Sequence, residues 1–118
     1  MASIREKLAA LKANIPTAEV VVKGVGTVKL TGLTAGARDQ WEQFIYNSRG
    51  TGQSVKNVRA SLVCRCIAGE DGGRAYTDSV ADMEEISALP AKVVDQLYKV
   101  AQKISGLGAD DIDELEKT

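Results

Sequence analysis

Cys64 and Cys66, either side of Arg65, are the residues whose type best suits nucleophilic or metal chemistry. Two positions apart on a helix, their side chains project about 200° from one another and cannot readily form a disulfide. Two thiolates without further Cys or His do not complete a four-ligand zinc site. The chain contains no histidine, which removes the Ser–His and Cys–His dyads and every His-containing metal site. Arg65 by itself does not make a thiolate site, so both cysteines read as small apolar residues kept reduced. Cys66 continues an apolar stripe, and Cys64 is expected to be the more exposed. Glu84 and Glu85 are adjacent acids of the kind used in acid–base catalysis, but nothing converges on them and they read as solvated surface. Gly24-Val25-Gly26 resembles half of a dinucleotide fingerprint, yet a strand pattern follows where a helix is required, so it is a hairpin turn. Asp71-Gly72-Gly73-Arg74-Ala75 puts Gly73 and Ala75 where a calcium loop needs oxygen ligands, and is likewise a turn. The expectation is of no catalytic, metal or cofactor-binding residues, and of no enzyme.

Composition points the same way. The 118 residues suit one domain, with 44% apolar and 26% charged residues, and 15 basic against 16 acidic side chains give a net charge of −1. A dedicated nucleic-acid binder draws its affinity from clustered Lys and Arg, and this balance speaks against one. Trp41, Phe44, Tyr46, Tyr76 and Tyr98 are too few for a base-stacking platform. No apolar run approaches the 18 or so residues of a membrane span, and the charged start Met1-Ala2-Ser3-Ile4-Arg5-Glu6-Lys7 is unlike a signal peptide. A cytosolic protein without membrane or nucleic-acid partners is expected.

The elements that must carry these residues are mostly helical. Ile4, Leu8, Leu11 and Ile15 recur at helical spacing, with Ser3 placed to cap and Pro16 to stop the run. Glu19–Lys23 and Thr27–Thr31 are β-branched runs around a glycine turn, which predicts a hairpin over about 19–31. A lone hairpin is marginal in water, so it must lie against helices. Thr34 opens a helix carrying Ala37, Trp41, Phe44 and Ile45 that breaks at the turn formers of 47–52. The next helix runs from Ser54 to Ala68 on Val55, Val58, Leu62 and Cys66, widened by Val63 and Ile67. After the Glu70–Gly73 turn, Arg74–Tyr76 is briefly extended. A short helix follows, with Asp78 as cap and Val80, Met83 and Ile86 as its buried side. Pro90 opens the last strong helix, with Val93, Leu97, Val100 and Ile104 as its stripe and Gly106 as its stop. The fold class is α+β and mostly helical, with five or six short helices and one N-terminal hairpin packed against them. Residues 1–108 form a single domain, and 109–118 form an acidic segment, either a short helix or a mobile tail.

Charge is unevenly placed along this frame. Residues 54–66 carry Lys56, Arg59 and Arg65 with no acid, whereas 70–85 carry six acids against Arg74 and 108–118 carry five against Lys117. Such blocks are commonly solvated faces, but opposite patches on a near-neutral protein also favour docking to a charged helix or self-association. Trp41 and Tyr98 are each either core or interface residues.

In order and spacing, several segments together resemble the tail assembly chaperones of long-tailed bacteriophages. The resemblance rests on the hairpin, Leu33–Asp39, Trp41-Glu42-Gln43-Phe44, Asn57–Val63, Glu70–Asp78, Val93–Leu107 and the acidic Asp110–Lys117, about four-fifths of the chain. Ser105 stands where Asn is expected before the glycine. The resemblance implies a non-enzymatic protein of the infected bacterial cytoplasm, absent from the finished virion. It would bind the tape measure protein and keep that long, helical, aggregation-prone partner soluble. It further implies that a longer frameshifted form, where one exists, recruits tail tube subunits, and it leaves homo-oligomerisation open. A structural tail completion or tube-joining protein is the alternative, and a small helical nucleic-acid-binding or regulatory module is the second. Because the charge of 54–66 is unopposed along the chain, the partner groove is expected between that helix and 91–105, with Lys56, Arg59 and Arg65 at its rim.

Overall fold

Val20, Val22 and Leu30 are the inward residues of the alternating runs around Gly24, and their burial organises the N-terminal half of the molecule. The computed structural model describes residues 3–50, 57–71 and 73–107. Strands β1 (Thr17–Val22) and β2 (Gly26–Thr31) pair antiparallel, from Thr17 opposite Thr31 to Val22 opposite Gly26. The Val25 amide closes the turn on the Val22 carbonyl at 3.0 Å. Among the described residues the α-helices are α1 (Ile4–Ala10), α2 (Ala35–Gly50), α3 (Val58–Cys66), α4 (Val80–Ser87) and α5 (Ala91–Ile104), and a 3₁₀ turn, Leu11–Ala13, extends α1. The hairpin packs on α5, so the molecule is a mostly helical α+β fold, as the periodicities require. No described helix is long and apolar enough to cross a membrane. Ser54, Val55 and Lys56, expected to open α3, and the acidic segment 109–118 lie outside the described residues.

At the centre is α3, which buries Ala60, Ser61, Leu62, Val63, Cys64 and Cys66 and so has little solvent-facing side. A helix that is apolar nearly all round belongs in the middle of a core. Cys64, expected to be the more exposed cysteine, is therefore fully buried, and that burial pushes its thiol pKa up to about 11. Trp41 and Ile45 of α2, Met83 and Ile86 of α4, and Val94, Leu97 and Ala101 of α5 share this core, with Tyr98 half-buried at its edge.

Helix ends show where local signals held. Ser3 accepts from the Glu6 amide at 3.2 Å and Thr34 from the Ala37 amide at 3.1 Å, both as N-caps. At the end of α5 the Leu107 amide reaches the Gln102 carbonyl at 2.9 Å and the Gly106 amide reaches Lys103 at 3.3 Å. This is a Schellman motif, and it needs the left-handed backbone that Gly106 supplies at φ 71°.

Other ends differ from the sequence reading. α2 continues to Gly50 rather than breaking at Asn47. α3 begins only at Val58, because Asn57 takes a left-handed conformation at φ 59°. It ends at Cys66 rather than Ala68: Ile67 turns extended and bridges Leu30, while the Ala68 amide donates to the Lys29 carbonyl at 2.9 Å. The free edge of β2 takes these two residues for its own backbone bonds, which a helix at that position would leave unmade. Ser79, not Asp78, caps α4 by accepting from the Asp82 amide at 3.2 Å, and Val80 faces solvent.

Candidate interaction surfaces

Three places combine charge or exposed apolar area with defined geometry. The first is an ionic cluster at the end of α3. Arg65, only 7% exposed, extends its guanidinium near the Phe44 ring of α2 at 5.7 Å and donates to the Ser61 carbonyl at 3.0 Å. Its Nε lies 3.7 Å from Asp78 Oδ1 and, among the described residues, has no hydrogen-bond acceptor. Arg74 donates to the same Oδ1 at 2.5 Å and to the Cys64 carbonyl at 3.3 Å. Two guanidinium groups thus share one carboxylate. The hydrogen bond from Arg74, together with the two positive charges, holds the Asp78 carboxyl below the usual carboxylate range against the opposing effect of partial burial.

That pKa fixes a pH dependence. A depressed folded-state pKa gives stability that is present above the unfolded value, about 3.9, and is lost as pH falls through the folded one. Asp78→Asn is expected to lower the melting temperature near neutral pH, where it leaves buried Arg65 without its acid. The deficit should shrink below about pH 3.9, as the parent protein loses the same charge. Melting followed by circular dichroism across that range checks it, and a deficit unchanged by acid would show that the charge of Asp78 is not what matters.

The second place is the seam between α3 and α5, where the partner groove was expected. The two helices pack directly and share the core, so the space between them is filled by side chains. Arg59, on the outside of this seam, reaches Asp95 at 3.3 Å and lies over the Tyr98 ring at 5.9 Å. Arg65 is buried on another side of α3, six residues further on. The expected rim therefore does not form: Arg59 and Arg65 do not share a face, and Lys56 lies outside the described residues. Nor is the charge of α3 unopposed, because Asp78 and Asp95 neutralise it from elsewhere in the chain. The spacing of Arg74 and Asp78, four apart, hinted at one of these pairs; no local signal announced Asp95.

The third place is α1. Ile4, Leu8 and Leu11, which recur at helical spacing, are 72%, 59% and 57% exposed. None of the seven residues of α1 is buried. The helix is amphipathic, as its spacing requires, but the fold leaves its apolar side uncovered. Arg5, Lys7 and Lys12 lie in the same segment and make it basic.

A cleft of about 240 Å³ opens beside Arg65 and Arg74, walled by Ile15, Leu33 and Ile67. Among the described residues no three of His, Cys, Asp and Glu come together in a way that would hold a metal ion. No protein-family model, curated protein or solved structure matches the chain.

Proposed function

We propose that the chain is a tail assembly chaperone of a long-tailed bacteriophage, working without chemistry of its own in the cytoplasm of the infected host. It binds the tape measure protein and keeps it soluble until tail tube subunits polymerise around it, then leaves the assembly. The observation that carries this reading is the uncovered stripe of α1. A helix of seven residues is too short to be stable alone in water, where about 12–15 are marginal even in favourable sequences. Its apolar side supports pairing with a second amphipathic helix, each covering what the other exposes. Burial of such a stripe contributes roughly 25 cal/mol per Å² of apolar surface, and the basic residues alongside favour an acidic-rimmed partner. Arg59, exposed on α3, and Lys56 remain charged contacts proposed for the partner, whereas the burial of Arg65 suits it to holding the fold. Self-association and contact with tail tube subunits through a longer form are further parts of the proposal.

Co-expression with a tape measure protein of a long-tailed phage tests the proposal. The parent chain is expected to move most of that protein into the soluble fraction. Leu8→Glu with Leu11→Glu, at exposed sites that leave the core untouched, should abolish this, and Arg59→Glu should weaken it severalfold. Full solubilisation by the α1 variant would remove α1 from the proposal. A tape measure protein that stays insoluble with the parent chain, or the presence of this chain in purified virions, would overturn the chaperone reading in favour of a structural tail component.

A further inference from the structure

We propose that the cleft beside Arg65 and Arg74 is the docking site of the chain's own acidic segment, residues 109–118. The inference is independent of the chaperone reading and of α1.

Charge is the first argument. Among the described residues the two guanidinium groups share the one carboxylate of Asp78. Asp71, in the neighbouring turn, directs its Oδ1 to the Gly73 amide of that same turn at 3.0 Å. A further carboxylate entering the cleft completes the neutralisation of this pair, in which Arg65 is almost wholly buried, and the guanidinium fork suits a bidentate carboxylate partner. Residues 109–118 offer Asp110, Asp111, Asp113, Glu114 and Glu116.

Shape and polarity are the second. The walls supplied by Ile15, Leu33 and Ile67 are apolar, so the occupant must carry apolar side chains among its acids. Ile112 and Leu115 are set into the acidic run and meet that need.

Connectivity is the third. Leu107, buried, fixes the chain where the acidic segment begins. The end of α5 touches the cleft's own wall: the Leu33 amide donates to Ser105 Oγ at 3.2 Å, and Gly32 lies against the Ile104 carbonyl. From Leu107 to Ile112 the chain can span about 17 Å when extended. A tether this short keeps the segment at a high effective concentration beside the cleft, which favours it over a free acidic peptide.

The test compares amide spectra of the ¹⁵N-labelled full chain with those of a variant carrying Asp110→Asn, Asp111→Asn, Asp113→Asn, Glu114→Gln and Glu116→Gln. Resonances of Gly32–Thr34, Ile67–Ala68 and Arg74 are expected to shift, while those of α1 and α4 stay in place. About 1 M salt, where the Debye length falls to about 3 Å, should move the parent spectrum the same way. Arg74→Gln, at a half-exposed position, should displace the resonances of residues 110–116 without disturbing the core. Cleft amides that ignore both the neutralised segment and salt would overturn the proposal. So would shifts that disappear on dilution, which would assign the cleft to the acidic segment of a second copy.

Discussion

Trp41→Ala is expected to remove a large share of the stability of this domain, about 3–5 kcal/mol, the range for truncating a large aromatic in a packed core. A domain of this kind is stable by only about 5–15 kcal/mol in all. Trp41 is fully buried, and its indole Nε1 donates to Ser61 Oγ at 2.8 Å. Ser61 is itself fully buried and donates onward to the Val58 carbonyl at 2.8 Å. The pair therefore ties α2 to the first turn of α3 while solving the burial of a polar group in each helix. Alanine leaves both a cavity and a serine oxygen without its donor. Trp41→Phe retains most of the volume and loses the hydrogen bond, so it should cost less, by roughly 1–3 kcal/mol. Urea unfolding followed by far-ultraviolet circular dichroism is the appropriate measurement, because Trp41 is the sole tryptophan and its fluorescence is lost with it. A loss under about 1 kcal/mol for the alanine variant would mean that the α2–α3 junction is not cooperative with the rest of the core.

Gly32→Ala should be the second most damaging single change, at about 3 kcal/mol, although it adds only one methyl group. Gly32 lies where the chain leaving β2 crosses the end of α5. A Cβ there would collide with the Ile104 carbonyl oxygen, and would sit 3.0 Å from the Ile104 carbonyl carbon and 3.3 Å from the Pro16 carbonyl oxygen. The obstacles are backbone atoms on two sides and cannot swing away as a side chain would. The Gly32 amide also donates to the Pro16 carbonyl at 2.8 Å, so retreat of the chain would break that bond. Gly36→Ala is the control. It lies in the first turn of α2 with nothing within 4 Å of the added carbon, and should be neutral or stabilising by up to about 1 kcal/mol. Equal unfolding free energies for the two variants would show that the crossing of β2 and α5 yields easily.

The two variants also separate what each level of description supplies. Gly36 and Gly32 are four residues apart, and the neighbours Thr31 and Leu33 do not reveal what a methyl group at Gly32 would meet. Only the approach of Ile104, more than seventy positions away, makes one indispensable. The same contrast runs through the interaction surfaces. The unopposed charge of 54–66 was a correct count along the chain, and the groove inferred from it was not found. Asp78 and Asp95 reach α3 from other elements, and packing of α3 on α5 fills the space between them. The stripe of α1 is legible as a helix, but whether an amphipathic side is covered depends on what the rest of the fold brings to it.

What the sequence by itself determined is local. Hairpin strands, caps at Ser3 and Thr34, and the stop at Gly106 depend on spacing, on β-branched side chains and on the backbone freedom of single residues, all of which act over a few positions. The inward sides of α2 and α5 followed from helical periodicity for the same reason. What only the tertiary structure decided is which of several locally adequate choices survives contact with distant chain. Ile67 and Ala68 left the helix to satisfy the open edge of β2, Cys64 became buried because α3 is enclosed on nearly every side, and Arg65 exchanged water for Asp78 and Phe44. Each outcome turns on partners far away in sequence, whose approach is set by the packing of the whole chain and by the need to pair every buried polar group.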